Sequence, residues 1–254
     1  MSPTFVMGDL HGQLAKTTGH LRSAGLIDAQ GDWSGADATL CFLGDYCDRG
    51  PDGLGCIELV MRLQEQAPAH GGQVVALLGN HEVLLLAARR FGMHLGPGLY
   101  EPFRQGWKRN GGVDSDLAGL TARHEAWLSN LPAMARIGRR LLIHADAGFY
   151  ANLGWQPAEV NEALTMILHL HDAILWESLL AAFTERFAFY AADGVDSTLA
   201  RSFLATFDAD QLIHGHTPIS YVTGKPVSQV TAPLFYADDL CVNVDGGMYM
   251  GGPG

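Results

Sequence analysis

Six short apolar runs of this chain each end in residues that can hold a cation or move a proton. Met7 is followed by Gly8-Asp9-Leu10-His11-Gly12, Leu43 by Gly44-Asp45-Tyr46-Cys47-Asp48-Arg49-Gly50, and Leu78 by Gly79-Asn80-His81-Glu82. Ile143 leads into His144-Ala145-Asp146, Ile213 into His214-Gly215-His216, and Val244 into Asp245-Gly246-Gly247. Carboxylate, imidazole and amide oxygen together suit borderline first-row ions such as Mn, Fe, Co, Ni or Zn. No cysteine stands among these donors, which argues against a structural zinc site. Two such ions about 3.5–4 Å apart can clamp the attacking and leaving oxygens of an in-line displacement, and they lower the pKa of a bound water to about 7. Taken singly, each residue has an ordinary reading: Gly-Asp is usually a turn, and Asp48 could cap a helix. The metal reading comes from convergence.

The elements that must position these donors alternate. Residues 4–7, 39–43 and 73–78 read as strands, and residues 11–24, 54–63 and 81–90 keep the three-to-four spacing of helices. Further helical patterns cover 101–109, 121–130, 158–170 and 173–188, with a Gly- and Pro-rich loop at 92–102 and later strands at 140–143, 211–213 and 240–244. Strand–helix alternation predicts an α/β class with a largely parallel sheet in the N-terminal half. In such sheets ligands bind at the carboxyl ends of the strands, where the donors stand. No repeat or linker divides the chain, so residues 1–254 are expected to form one domain.

The chain has 16 basic against 27 acidic residues, a formal charge of -11. That balance should repel nucleic acid and anionic membranes, and phosphate esters too unless bound cations reverse the sign locally. No apolar run approaches the roughly 20 residues that span a bilayer, and no basic stretch followed by an apolar one marks a leader. Cys41, Cys47, Cys56 and Cys241 show no CxxC pairing and read as buried reduced thiols. These features predict a cytoplasmic protein. His20, His70, His94, His124, His169 and His171 fall outside the donor blocks and read as surface or helix residues. Phe183, Phe187, Phe189 and Tyr190 read as core.

The donor blocks resemble the signatures of the calcineurin-like metallophosphoesterase superfamily, most closely its bacterial phosphoprotein phosphatase-like branch. GDxHG, GDxxDRG and GNHE stand without a mismatch and in the family's order, followed by a histidine after a strand and a Gly-His pair, between Gly8 and His216. The resemblance implies an αββα sandwich, two mixed β-sheets flanked by helices, with a dinuclear centre at one rim. It assigns Asp9 and His11 to the first metal, Asp45 to both, and Asn80, His144 and His216 to the second, with Mn the foremost ion. It makes His81 the general acid, oriented by Asp48, and gives the phosphate to Arg49 and Asn80. A carboxylate beside an imidazole favours the protonated ring, which suits that role. Glu82 is expected to be structural.

The implied reaction is direct attack of a metal-bound hydroxide on a phosphate monoester. Its substrate would be a phosphoserine, phosphothreonine or phosphotyrosine protein, or a small phosphoester. A diadenosine tetraphosphate hydrolase shares the motifs and is the main alternative; an inactive binding module with the same fold is another. Three departures stand out. The block after the fourth donor strand is usually His-Gly-Gly or His-Ala-Gly, whereas here it is His144-Ala145-Asp146. Asp146 could repel a phosphate or anchor a histidine behind the ligands. The second phosphate-binding arginine often follows a tryptophan, yet Trp176 is followed by Glu177, which leaves Arg109 and Arg186 as candidates. The C-terminal signature of the eukaryotic protein phosphatases is absent.

Overall fold

The computed structural model describes residues 2–190 and 197–254. In chain order its first half runs β1 (Thr4–Met7), α1 (Leu14–Ser23), β2 (Thr39–Phe42), α2 (Gly53–Gln66), β3 (Gln73–Ala76), α3 (Asn80–Phe91), α4 (Phe103–Arg109), α5 (Asp114–Gly119) and α6 (Ala122–Ser129). Then come β4 (Met134–Ile137), β5 (Arg140–Ile143), α7 (Pro157–His169), α8 (Ala173–Phe183), α9 (Thr198–Thr206), β6 (Gln211–His214), α10 (Ile219–Thr223), β7 (Leu234–Tyr236) and β8 (Cys241–Asn243).

The strands form two sheets. One has the order β1-β2-β3, with both pairings parallel. The other has the order β4-β5-β6-β8-β7, parallel at β5-β6 and β6-β8 and antiparallel at its two edges. Side chains alternate across a strand, and that alternation divides the apolar residues between two clusters. Cys41, Leu43, Leu77, Leu142, Ile213 and Val242 pack together between the sheets. Their neighbours Leu40, Phe42, Ala76, Leu141, Ile143, Leu212 and Cys241 join the larger core under the helices. Parallel strands covered on both faces read as continuous apolar runs, which is why these strands were legible. The result is two facing sheets flanked by helices, α2 against β3 and α7 against β4.

Helix boundaries moved where the chain serves the strand ends. The first helix begins at Leu14, not residue 11, because His11 and Gly12 take φ of 42° and 64°. Helix α8 stops at Phe183, and residues 184–188 continue without helix. The short elements α5, α9, α10, β4 and β7 were not anticipated. Phe183 and Phe189 are core, as expected, but Phe187 and Tyr190 are 41% and 38% exposed, so that aromatic group is only half buried. All four cysteines are free and buried. His124, expected at the surface or on a helix, is buried on α6, its Nε2 2.5 Å from Glu58 Oε1.

Candidate functional site

The loops after β1, β2, β3, β5 and β6 meet at one rim of the sandwich. Backbone bonds tie them together before any side chain is considered. The Leu10 and His11 N–H groups donate to the Asp45 carbonyl at 3.0 and 2.7 Å, Gly215 N–H donates to the His144 carbonyl at 2.9 Å, and Arg49 N–H donates to the Gly111 carbonyl at 2.8 Å. The Glu82 carboxylate accepts from Asp45, Tyr46 and Gly79 N–H at 2.7, 2.8 and 3.0 Å. Its role is to fasten the second loop to the start of α3. Gly79 could carry no side chain here, since a Cβ would lie 2.3 Å from Asp45 Oδ1.

Asp9, His11, Asp45, Asn80, His144 and His216 are all buried. Asp45 faces two ways: Oδ2 lies 3.5 Å from His11 Nε2, and Oδ1 lies 3.4 Å from His144 Nε2. Asp9 Oδ2 is 3.9 Å from His11 Nε2. On the other side, His144 Nε2 is 3.0 Å from Asn80 Oδ1 and 3.1 Å from His216 Nδ1, and His216 Nδ1 is 2.9 Å from Asn80 Oδ1. The remaining ring nitrogens of two imidazoles are committed: His11 Nδ1 meets the Cys47 carbonyl at 3.1 Å, and His144 Nδ1 meets the Leu43 carbonyl at 2.8 Å. Those bonds fix the tautomer and turn each Nε2 lone pair toward the carboxylates, the usual preparation of a metal-binding histidine.

The charge balance at this point is unfavourable as it stands. Burial holds Asp9 and Asp45 well above the ordinary carboxylate range; Asp245 and Asp45 add to the shift at Asp9, and Glu82 to that at Asp45. Burial also holds the imidazoles neutral, His144 at about 3 and His11 and His216 well below their usual value. His216 Nε2 and Asp245 Oδ2 are buried without a hydrogen-bond partner. His144 Nε2, Asn80 Oδ1 and His216 Nδ1 face one another within 3.1 Å, a meeting of lone-pair atoms that a divalent cation would compensate, and oxygen and imidazole donors suit a first-row ion. The groups His11, Asp45, His81 and Asp45, His144, His216 each bring their donor atoms close enough to hold one ion. His11, Asp45, Asp48, Arg49 and His216 all take positive φ. Left-handed backbone at non-glycine residues costs on the order of 1 kcal/mol each and clusters at functional sites.

Above this floor opens a cleft of about 380 Å³ walled by Asp45, Arg49, Asn80, Arg109, Arg186, Tyr249 and neighbours. His81 is buried behind that lining, against Arg49. Its Nδ1 lies 2.9 Å from Asp48 Oδ2 and its Nε2 lies 3.0 Å from Arg49 Nη2. A guanidinium only donates, so Nε2 is the acceptor and Nδ1–H donates to Asp48. Asp48 is held in turn by Trp107 Nε1–H at 2.9 Å and by its own N–H to Asp116 Oδ2 at 3.1 Å. The orienting role expected of Asp48 therefore has its geometry. The expected raising of His81 does not: burial, then Arg49 and Arg186, push its pKa well below the usual value. Burial pushes Asp48 up to about 7.

Of the two candidate arginines, both line the cleft, but Arg109 Nε is paired with Glu101 Oε1 at 2.6 Å. Among the described residues no carboxylate pairs with Arg186, and its charge depresses His81, His144 and His216. Two contributors carry no local signal in the sequence. Trp107 holds Asp48. Tyr249 lies 4.5 Å beneath the Arg49 guanidinium and 4.8 Å from the His11 ring. Asp245, the donor after β8, is held by Gly247 N–H, which donates to its Oδ1 at 2.8 Å.

A family model described as calcineurin-like phosphoesterase matches residues 2–220. Shewanella-like protein phosphatase 2 of Arabidopsis thaliana is 36% identical over 78 residues, 31% of this chain and 20% of that protein. A symmetrical bis(5'-nucleosyl)-tetraphosphatase of Ralstonia nicotianae is 48% identical over 52 residues, 20% of this chain and 17% of that protein. The matches thus span a fifth or less of the length of these two curated relatives. The crystal structure of a cold-active protein-tyrosine phosphatase from a psychrophilic Shewanella species superposes with a TM-score of 0.69 at 19% identity, covering 99% of this chain and 75% of that one.

Proposed function

The chain belongs to the calcineurin-like phosphoesterase family, and from that premise we propose that it is a two-metal phosphatase that hydrolyses phosphate monoesters on protein side chains. The observation that carries this reading is the two-faced Asp45 carboxylate, 3.5 Å from His11 on one side and 3.4 Å from His144 on the other. Asp9 and His11 would hold one ion, Asn80, His144 and His216 the other, and Asp45 both. Manganese is the first choice, with Fe, Zn, Co or Ni as alternatives the same donors accept. When bound, the pair supplies positive charge against the phosphoryl oxygens and acidifies a water to a pKa of about 7.

The chain's own residues bind, orient and protonate. Arg49 offers a guanidinium fork to two phosphoryl oxygens, Arg186 a second charge, and Asn80 its amide. A phosphate that draws Arg49 away releases His81 Nε2, and the dianion raises the affinity of that nitrogen for a proton. His81 then gives the proton to the leaving oxygen, its ring held by the Nδ1–H bond to Asp48. Direct attack by water, without a phosphoenzyme, is supported by the state of the cysteines: Cys47 is buried and its thiol is pushed well above its usual pKa, the opposite of an activated nucleophile. Trapping a phosphorylated residue during turnover would refute that route.

The reading treats residues 1–254 as one such domain. It favours the cytoplasm, where unpaired thiols persist; no helix among the described residues is long and apolar enough to cross a membrane. A second reading, hydrolysis of dinucleoside tetraphosphates, is favoured by the Ralstonia match at 48% identity over 52 residues. One experiment separates them. Metal-stripped protein is given each divalent ion in turn and assayed on a phosphopeptide, an aryl phosphate and diadenosine tetraphosphate. Monoester turnover restored by manganese supports the proposal; cleavage of the tetraphosphate alone selects the second reading; no turnover with fully loaded protein selects a binding module.

A further inference from the structure

We propose that Asp146, the residue that departs from the family's His-Gly-Gly or His-Ala-Gly block, is a positioning residue for Arg186. The proposal rests on the reading that Arg186 binds the substrate phosphate, and it concerns how the arginine is held there. Helix α8 ends at Phe183, three residues short of Arg186, so the helix does not present the side chain. Both chain neighbours of Arg186 are instead fastened to the turn that follows His144. On one side, Asp146 Oδ1 accepts from Phe187 N–H at 3.2 Å, and the Asp146 carbonyl accepts from Ala188 N–H at 3.1 Å. On the other, the Glu185 carboxylate accepts from Gly148 N–H at 3.0 Å and Phe149 N–H at 3.3 Å. The arginine sits between two carboxylate clamps that lock residues 185–188 to residues 146–149.

Asp146 is itself braced. Its Oδ2 lies 3.1 Å from the Tyr236 hydroxyl on β7, which is 2.7 Å from His214 Nε2. It is 2% exposed, and its oxygens are turned to these partners and not into the cleft. Of the two roles open from the sequence, repelling phosphate or anchoring a histidine, this geometry does not favour the first, and it meets the second only through the Tyr236 hydroxyl that links Asp146 to His214; the bond to Phe187 N–H is a third role. A glycine in its place would supply the backbone carbonyl but neither carboxylate bond. The His144 strand end then does two things: it would carry one metal donor, and two residues later it sets the register of the arginine that lines the cleft together with Arg49.

The test uses metal-loaded protein, an aryl phosphate as substrate and inorganic phosphate as inhibitor. Arg186→Ala should raise KM roughly 10- to 100-fold, the worth of one charge-assisted bond. Asp146→Ala should raise KM and the phosphate inhibition constant about 10-fold, as loss of a supporting partner does, with kcat and metal content near those of the parent. Asp146→Asn keeps an acceptor for Phe187 N–H and should recover most of the loss. The double variant should match Arg186→Ala alone, because residues acting through one another are not additive. Multiplying effects, or metal loss with unchanged KM, would overturn the clamp. If Arg186→Ala leaves KM unmoved, the arginine's role is wrong and the clamp's purpose falls with it, a result distinct from a clamp that fails while the arginine matters. Glu185→Ala loosens the same segment from its other side and carries the same expectation should Asp146→Ala not fold.

Discussion

The floor of the cleft and its rim are built by different means. The floor donors come from residues next to strand ends, are buried, and are cross-tied by backbone bonds and by Glu82. The rim comes from the loop at Gly111, the segment after α8, α10 and the C-terminal turn, and it includes the exposed Tyr221 at 58%. The floor holds its geometry at a cost in buried charge and left-handed backbone. The rim holds charge in solvent, where a substrate can rearrange it. On this account the floor fixes the type of reaction and the rim fixes what is cleaved.

That division is open to attack, beginning with the floor. Asp45→Asn should release both ions and abolish turnover, with metal-free protein no less stable than the parent because a buried carboxylate has been neutralised. Retention of both ions by the variant, measured by elemental analysis, would break the bridge. His81→Asn belongs to chemistry and not to metal binding. It should lower kcat roughly 10²–10⁴-fold, the worth of a general acid, with metal content unchanged.

If the floor is short of positive charge, manganese at a hundredfold excess over its Kd should stabilise the fold by about 2.7 kcal/mol for each ion bound. For a chain of this size that is a Tm rise of roughly 5–10 °C per ion, readable by calorimetry, and it should vanish in Asp45→Asn. The rim should respond least. Tyr249→Leu removes a cation–π contact worth about 0.5–1 kcal/mol, so KM for an aryl phosphate should rise only about two- to fivefold. A loss of metal in that variant would mean that rim and floor are not separate.

The same division decided what could be read from the chain. Floor residues are set by where a strand stops, so Gly8-Asp9-Leu10-His11 and Gly79-Asn80-His81-Glu82 carry their meaning locally. The strands were legible because their apolar residues face both clusters. Rim residues gain their places through partners distant in the chain. Tyr249 meets Arg49 across 200 residues (249 minus 49), and Trp107 reaches the Asp48 loop from α4. The periodicity of residues 173–188 predicted one helix, but the pull of Asp146 on Phe187 belongs to tertiary structure and outweighs local propensity. The expectation that Asp48 raises His81 failed for a related reason: burial and two arginines act on the ring, and neither shows in a spacing of residues. Elements of three to six residues such as β7, α5 and α10 offer too short a window for any period.

The most direct test is anomalous scattering from a crystal of the intact chain grown with manganese. The account predicts two peaks on either side of the Asp45 carboxylate, one against Asp9 and His11, the other against Asn80, His144 and His216. A single peak away from Asp45, or none in a crystal whose dissolved protein contains manganese, would contradict it.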